Sequence, residues 1–336
     1  MTGNRLDRAR GALIGLAMGD ALGMPTQYLP RELVRDRYGL LDTFQPGPED
    51  NELCAGLPAG RVTDDTDQAV ILGRLLVSGA GQVDPQQYAQ ELLAWEDRMR
   101  AAGSLDLLGP STLKALAAVA AGASTEQSGR WGDTNGAAMR IAPVGIATPV
   151  TSFADMAAAV HAVSHVTHNT QIATAGATAV AAAISVAIEG ATLTEALTAG
   201  LEGALAGAEF GFYVAGANVA TRISWALDLV RDLDVGEALD RIYDLVGSGV
   251  ATQEAVPAAF AFASLLGEDP WLTCRAAASL GGDCDTIAAM AGAIVGALHG
   301  ASAFPADRVA ELNAVNPTLR LEDLAADLLD LRDASL

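Results

Sequence analysis

Lysine is nearly missing from this chain: Lys114 stands alone among 336 residues, and 20 basic side chains face 41 acidic ones, a formal net charge of −21. A nucleic-acid binder needs a basic stripe to displace counterions from phosphates, so neither nucleic acid nor an anionic membrane is an expected partner. A phosphate-bearing substrate stays open if divalent cations bridge the like charges. Cysteine is scarce as well. Cys54, Cys274 and Cys284 are odd in number, widely spaced and without a C-x-x-C pair. That argues against a disulfide framework and a thiolate zinc site, and it predicts a reducing cytoplasm. Strand-like alternation is almost absent, as are fixed-period repeats and low-complexity linkers. The apolar run from Gly11 to Met18 is broken by Asp20, which argues against a signal peptide. The longest apolar stretch, 172–188, is mostly Ala, Thr and Val, and predicts a buried core helix rather than a membrane span.

What remains is a globular composition, 51% hydrophobic and 18% charged. A chain of this length buries about three quarters of its unfolded surface and needs no covalent staples. Apolar periodicity punctuated by Gly, Pro and Asp predicts helices over 5–18, 66–79, 86–101, 111–121, 153–164, 169–189, 193–206, 213–231, 236–247, 252–267, 270–280, 286–299 and 321–332. The expected fold class is all-α, in one domain over 1–336. Abundant Ala and Gly suggest that helices approach closely. Residues 45–61, rich in Pro, Gly and acids, read as a long loop.

Two short segments concentrate carboxylates and hydroxyls at helix starts. One is Thr63-Asp64-Asp65-Thr66-Asp67; the other is Gly281-Gly282-Asp283-Cys284-Asp285-Thr286. Either alone reads as helix capping. Together they read differently, because adjacent acids repel unless a cation neutralises them. Carboxylate and hydroxyl oxygens suit Mg²⁺, Mn²⁺ or Ca²⁺ rather than zinc. Gly281 and Gly282 permit a turn that lets Asp283 and Asp285 converge. If the segments meet, they supply enough carboxylates for two metals.

A third segment, Gly132-Asp133-Thr134-Asn135-Gly136-Ala137-Ala138-Met139-Arg140, leads small residues into a helix. It reads either as an anion site of exposed N–H groups or as an ordinary Asn-Gly turn. His165 and His168 lack a third nitrogen or sulfur ligand nearby, which rejects zinc. His161 and His299 read as ordinary helix residues. Asp106 reads as a turn former ahead of a helix. Asp20, an acid in an apolar helix end, needs partners; it caps a turn or supports the site from behind.

In this order the segments resemble the ADP-ribosylglycohydrolase family. The matching pieces are GALIGLAMGDALG at the start, VTDDTDQAV at 62–70, DLLGPST at 106–112, NGAAMRIAPVG at 135–145, THNT at 167–170 and GGDCDTIAAMAGAIVGALHG at 281–300. The resemblance implies a compact orthogonal multi-helix bundle with a dinuclear metal cleft holding two Mg²⁺ or Mn²⁺. It implies hydrolysis of a glycosidic bond at the ribose of an ADP-ribosyl or ribosyl substrate, including an ADP-ribosylated protein. Carried over, the metal ligands are Thr63, Asp64, Asp65, Asp283, Asp285 and Thr286. Asn135, Gly136, Ala137, Met139 and His168 fall on the substrate. Asp65, Asp106 and Asp283 fall on catalysis, Asp65 or Asp106 guiding a water's proton. Two positions depart from the family pattern: Gln27 stands where a glutamate is common, and Thr134 where a glycine is usual. Two other functions stay open, a small-molecule ribosyl or nucleoside N-glycosidase and a non-catalytic crystallin-like binding protein.

Overall fold

The computed structural model describes residues 2–105 and 108–334, so Asp106 lies outside the described residues. Among these, helices alternate with turns, and there is no strand, only isolated bridges at Thr134–Ala251 and Thr170–Phe212. The all-α expectation is met. Helices expected near 66–79, 153–164, 169–189 and 286–299 appear as Asp64–Ser78, Phe153–Ser164, Gln171–Ile188 and Cys284–His299. Capping fixes several starts. Thr170 accepts from the Ala173 N–H, and Thr192 with Glu195 closes a reciprocal capping box.

The differences have local causes. The first helix, expected to stop at residue 18, runs Thr2–Gly23 because Asp20 is satisfied by another helix rather than by solvent. Arg31–Tyr38 and Ala306–Val315 are helical without an apolar stripe strong enough to announce them. The helix expected from 213 begins only at Val219, where the Asn218 side chain caps the Thr221 N–H at 2.9 Å. The helix expected over 236–247 is Val235–Arg241 followed by a π-turn, Ile242–Val246.

The buried apolar residues form one continuous cluster reaching from Ala9 to Leu329. Gln171–Ile188, long and apolar enough by itself to cross a membrane, is 89% buried in that core. Beside it, Thr2–Gly23 and Cys284–His299 cross almost backbone to backbone. A Cβ on Gly11 would lie 2.1 Å from the Gly296 carbonyl oxygen, and one on Gly15 would lie 2.0 Å from that of Gly292. One on Gly19 would lie 2.1 Å from the Ala288 oxygen, and one on Gly23 2.3 Å from the Asp285 Cα. Glycines at every fourth position share one helix face, which is why this face and no other is bare. The stripe seats the start of Cys284–His299 against the end of the first helix.

Gly15→Ala is therefore expected to lower the unfolding free energy by about 2 kcal/mol, through overpacking. At an exposed helix glycine the same change gains up to roughly 1 kcal/mol. Urea denaturation checks this, and an unchanged or stabilised variant contradicts the contact.

Candidate active site

The helix Asp64–Ser78 has no side-chain cap of its own; Thr63 at its N-cap makes none. Asp20 supplies it from the first helix. The Thr63 N–H donates to Asp20 Oδ1 at 2.9 Å and Oδ2 at 3.1 Å, and the Thr63 hydroxyl donates to Oδ1 at 2.8 Å. The Thr66 N–H donates to Oδ2 at 3.1 Å, and the Thr66 hydroxyl donates to the same oxygen. Burial pushes the Asp20 carboxyl up to about 6, with the bonds from Thr66 and Thr63 pulling the other way. The sequence called for partners to this buried acid, and they are the backbone and hydroxyls that orient Asp64 and Asp65.

The second acidic segment is locked to the same place. Gly281 and Gly282 take φ values of 85° and 67°, a left-handed pair that side chains disfavour. The Gly282 N–H donates to the Leu29 oxygen at 2.9 Å, the Tyr28 N–H to the Gly282 oxygen at 2.6 Å, and the Asp283 N–H to the Ser248 oxygen at 2.7 Å. Across a separation of 221 residues, the Thr286 hydroxyl donates to Asp65 Oδ2 at 3.3 Å. The third segment joins them, since Asn135 Nδ2 donates to Asp283 Oδ2 at 2.5 Å. All three segments singled out in the sequence converge.

They surround a cavity of about 300 Å³. Asp64, Asp283, Asp285 and Thr286 form its acidic wall; Asn135, Gly136 and Met139 line it as well, with Gln27 and Tyr28. Thr63, Asp65, Ala137 and His168 are buried and do not reach the cavity wall. His168 stands one layer back, because Thr134 and Gly136 come between. Its Nε2 pairs with the Thr134 hydroxyl at 3.1 Å and its Nδ1 with the Thr167 hydroxyl at 2.8 Å. A Cβ on Gly136 would lie 2.9 Å from its Cε1, so the ring also requires that glycine. Burial, then the Arg140 charge, push His168 well below the ordinary imidazole range, leaving it neutral.

The acids fit a hard dication in donor chemistry. Asp65 Oδ1 and Asp285 Oδ1 are buried without a hydrogen-bond partner. Both carboxyls are pushed well above the ordinary carboxylate range, first by burial and then by neighbouring carboxylates. Unpaired carboxylate oxygens in a like-charged cluster are what a bound cation relieves. Among the described residues, no three Asp, Glu, His or Cys side chains already stand close enough together to hold a metal ion. The site has the oxygen donors but not a closed cage.

Sequence reasoning missed the support behind this wall. Gln68 Nε2 donates to Asp64 Oδ2 at 2.6 Å, and Arg140 Nη1 donates to Gln68 Oε1 at 2.7 Å. Arg140, 1% exposed, also donates to the Thr167 hydroxyl and lies 5.3 Å from the Tyr88 ring centroid. This buried relay ties the Asp64 carboxylate to the His168 layer. Its only trace in the sequence is an arginine closing the Asn-Gly segment.

The ADP-ribosylglycohydrolase family profile matches residues 1–335. The chain is 38% identical to the uncharacterized protein YegU of Escherichia coli over 93% of both chains. It is 30% identical to the ADP-ribosylarginine hydrolase Tri1 of Pseudomonas putida, over 97% of this chain and 78% of that one. A solved ADP-ribosylglycohydrolase-related protein complex superposes with a TM-score of 0.66 at 26% identity, over 98% of this chain and 99% of that one. The chain belongs to the ADP-ribosylglycohydrolase family and is a glycosidic-bond hydrolase of that type.

Proposed function

We propose that this chain is a cation-dependent hydrolase of the glycosidic bond at the ribose of an ADP-ribosylated protein or a related ADP-ribosyl compound. One observation carries the reading: two acidic segments far apart in sequence meet at one cavity, with carboxylate oxygens left unpaired. Relatives named as ADP-ribosylarginine hydrolase and as ADP-ribosyl-[dinitrogen reductase] glycohydrolase support it.

In this reading Thr63, Asp64 and Asp65 from one side and Asp283, Asp285 and Thr286 from the other hold two Mg²⁺ or Mn²⁺. When bound, such ions supply positive charge for the ribose hydroxyls and acidity for a water molecule. The protein's own residues do the rest. Asn135, already anchored on Asp283, orients the sugar together with Gly136 and Met139 in the same wall. Thr134 stands in the same wall, and His168 braces it from behind through its hydroxyl, with Ala137 packed under the segment. As the bond to the anomeric carbon breaks, positive charge grows on the ribose, and fixed carboxylates stabilise it more than they stabilise the ground state. Asp65 or Asp106 guides the water's proton, which ends on the departing group as the water oxygen joins the anomeric carbon. The site lies within one domain spanning 1–336, working in the cytoplasm.

Release of ADP-ribose from peptides modified on arginine or serine, in the presence of Mg²⁺ or Mn²⁺, is the expected activity. Asp285→Asn is expected to lower kcat/KM by about 100-fold. Cleavage of free nucleosides alone would point to the small-molecule reading instead, and unaltered turnover in the variant contradicts the site.

The buried acids also set a pH signature. Asp20 and Asp283 hold a proton more tightly folded than unfolded, where the ordinary value is 3.8. Their favourable contribution is complete below 3.8 and is lost as pH rises through about 6. With a chelator present, the melting temperature is expected to fall across that window, and saturating Mn²⁺ to restore it most at the upper end. Melting curves that Mn²⁺ shifts equally at every pH contradict this.

A further inference from the structure

A second cavity, of about 520 Å³, lies beside the acidic one and shares Leu53 and Leu105 with it. It sits between the loop leading to Arg61 and the end of the helix Pro85–Ala101. Leu53, Leu57, Pro58, Val62, Met99 and Leu105 give it an apolar wall, in which Leu105 is 54% exposed. Its charged side chains are Arg61, Asp67 and the exposed Glu52. None of the described residues assigned above to metal, substrate or catalysis lines it. Arg61 and Asp67 are fixed as a pair. Arg61 Nη2 lies 3.4 Å from Asp67 Oδ2, and that oxygen also accepts from Trp95 Nε1 at 3.0 Å. Arg61 Nη1 donates to Asn316 Oδ1 at 3.2 Å, and Asn316, 2% exposed, donates to the Gly60 oxygen at 2.7 Å. These bonds occupy Nη1, Nη2 and Oδ2. The Arg61 Nε–H and Asp67 Oδ1 take no part in them, and neither atom is sealed from solvent.

One donor and one acceptor are therefore open in a mostly apolar cavity, the pattern of a small-molecule site. Nε–H and Nη2 share one edge of the guanidinium plane, so the open donor stands on the side that faces Asp67. A carboxylate ligand meets the donor but is repelled by Asp67. An ammonium meets the acceptor but is repelled by Arg61 and leaves its N–H unmet. A primary carboxamide carries a carbonyl and an N–H on the same side of its plane and meets both without charge. The apolar wall asks for an apolar body behind that amide. A glutamine side chain brings the same amide on a flexible stem, which covers less of the wall and costs more to immobilise. We propose that this second cavity binds a small primary carboxamide carried on an apolar ring, its carbonyl accepting from Arg61 Nε and its N–H donating to Asp67 Oδ1. The inference does not depend on the hydrolase reading, because no metal- or sugar-binding residue of that reading takes part.

The test uses benzamide, benzoate and benzylammonium, which match in size and differ at the polar end, together with N-acetylglutamine methylamide. Each is titrated into the full chain carrying ¹³C-methyl methionine and followed by NMR. Met99 lines the second cavity and Met139 the acidic one, and Met99→Leu and Met139→Leu assign the two signals. Benzamide is expected to shift the Met99 signal, to leave that of Met139 in place, and to bind about tenfold or more tightly than the other three probes. Asp67→Asn keeps an oxygen for Trp95 and turns the open acceptor into a donor. It is expected to move the benzamide-to-benzoate affinity ratio about tenfold or more toward benzoate. Arg61→Met removes the open donor and is expected to weaken benzamide about tenfold. Thermal melts identify the folded variants, and the four-probe comparison on the wild type stands without them. Benzamide that shifts Met139 or no methionine at all overturns the proposal. So does equal or tighter binding of any other probe, or a folded Asp67→Asn whose ratio stays within about twofold of the wild type.

Discussion

Everything at the site depends on how closely two helix backbones approach. Thr2–Gly23 and Cys284–His299 touch through glycines set against carbonyl oxygens, a spacing that no side chain permits. The stripe does more than fill the core. Its last contact puts Gly23 against the Cα of Asp285, one turn beyond Asp20 on the same helix. One helix end therefore fixes both acidic segments, Asp285 through backbone contact and Asp64–Asp65 through the Asp20 cap.

The resulting cluster is electrostatically expensive. Asp65 and Asp285 are each raised first by burial and then by neighbouring carboxylates, Asp64 foremost for Asp65 and Asp283 foremost for Asp285, and only part of that cost is met, on Asp65, by the Thr63 and Thr286 hydroxyls. A fold selected for stability alone has no reason to bury like charges with oxygens left unpaired. A bound cation would offset that repulsion. The surroundings are rigid by comparison. The Gln68–Arg140–Thr167 relay, the left-handed glycine turn and the Asn51 bond to the Gln27 carbonyl leave the acidic wall little freedom to collapse.

Much of this was legible in the sequence, for identifiable reasons. Long helices such as Gln171–Ile188 announce themselves by apolar content and a Thr cap, and acidic segments are conspicuous in a chain with so few charges. Asp20 was visible as an acid needing partners, although not that its partner was the start of another helix 43 residues on. Arg31–Tyr38 and Ala306–Val315 were not legible, because each buries a single apolar side chain, Val34 and Leu312, too few to set a period. The depth of His168 was not legible either. Motif order places it near the ligand, but only coordinates show Thr134 and Gly136 interposed.

The most direct test is anomalous diffraction from crystals grown with Mn²⁺. Two peaks lying between the carboxylates of Asp64 and Asp65 on one side and Asp283 and Asp285 on the other are the result expected here. Mn²⁺ bound only elsewhere on the acidic surface, with those carboxylates unmoved and the cavity holding water alone, would contradict it.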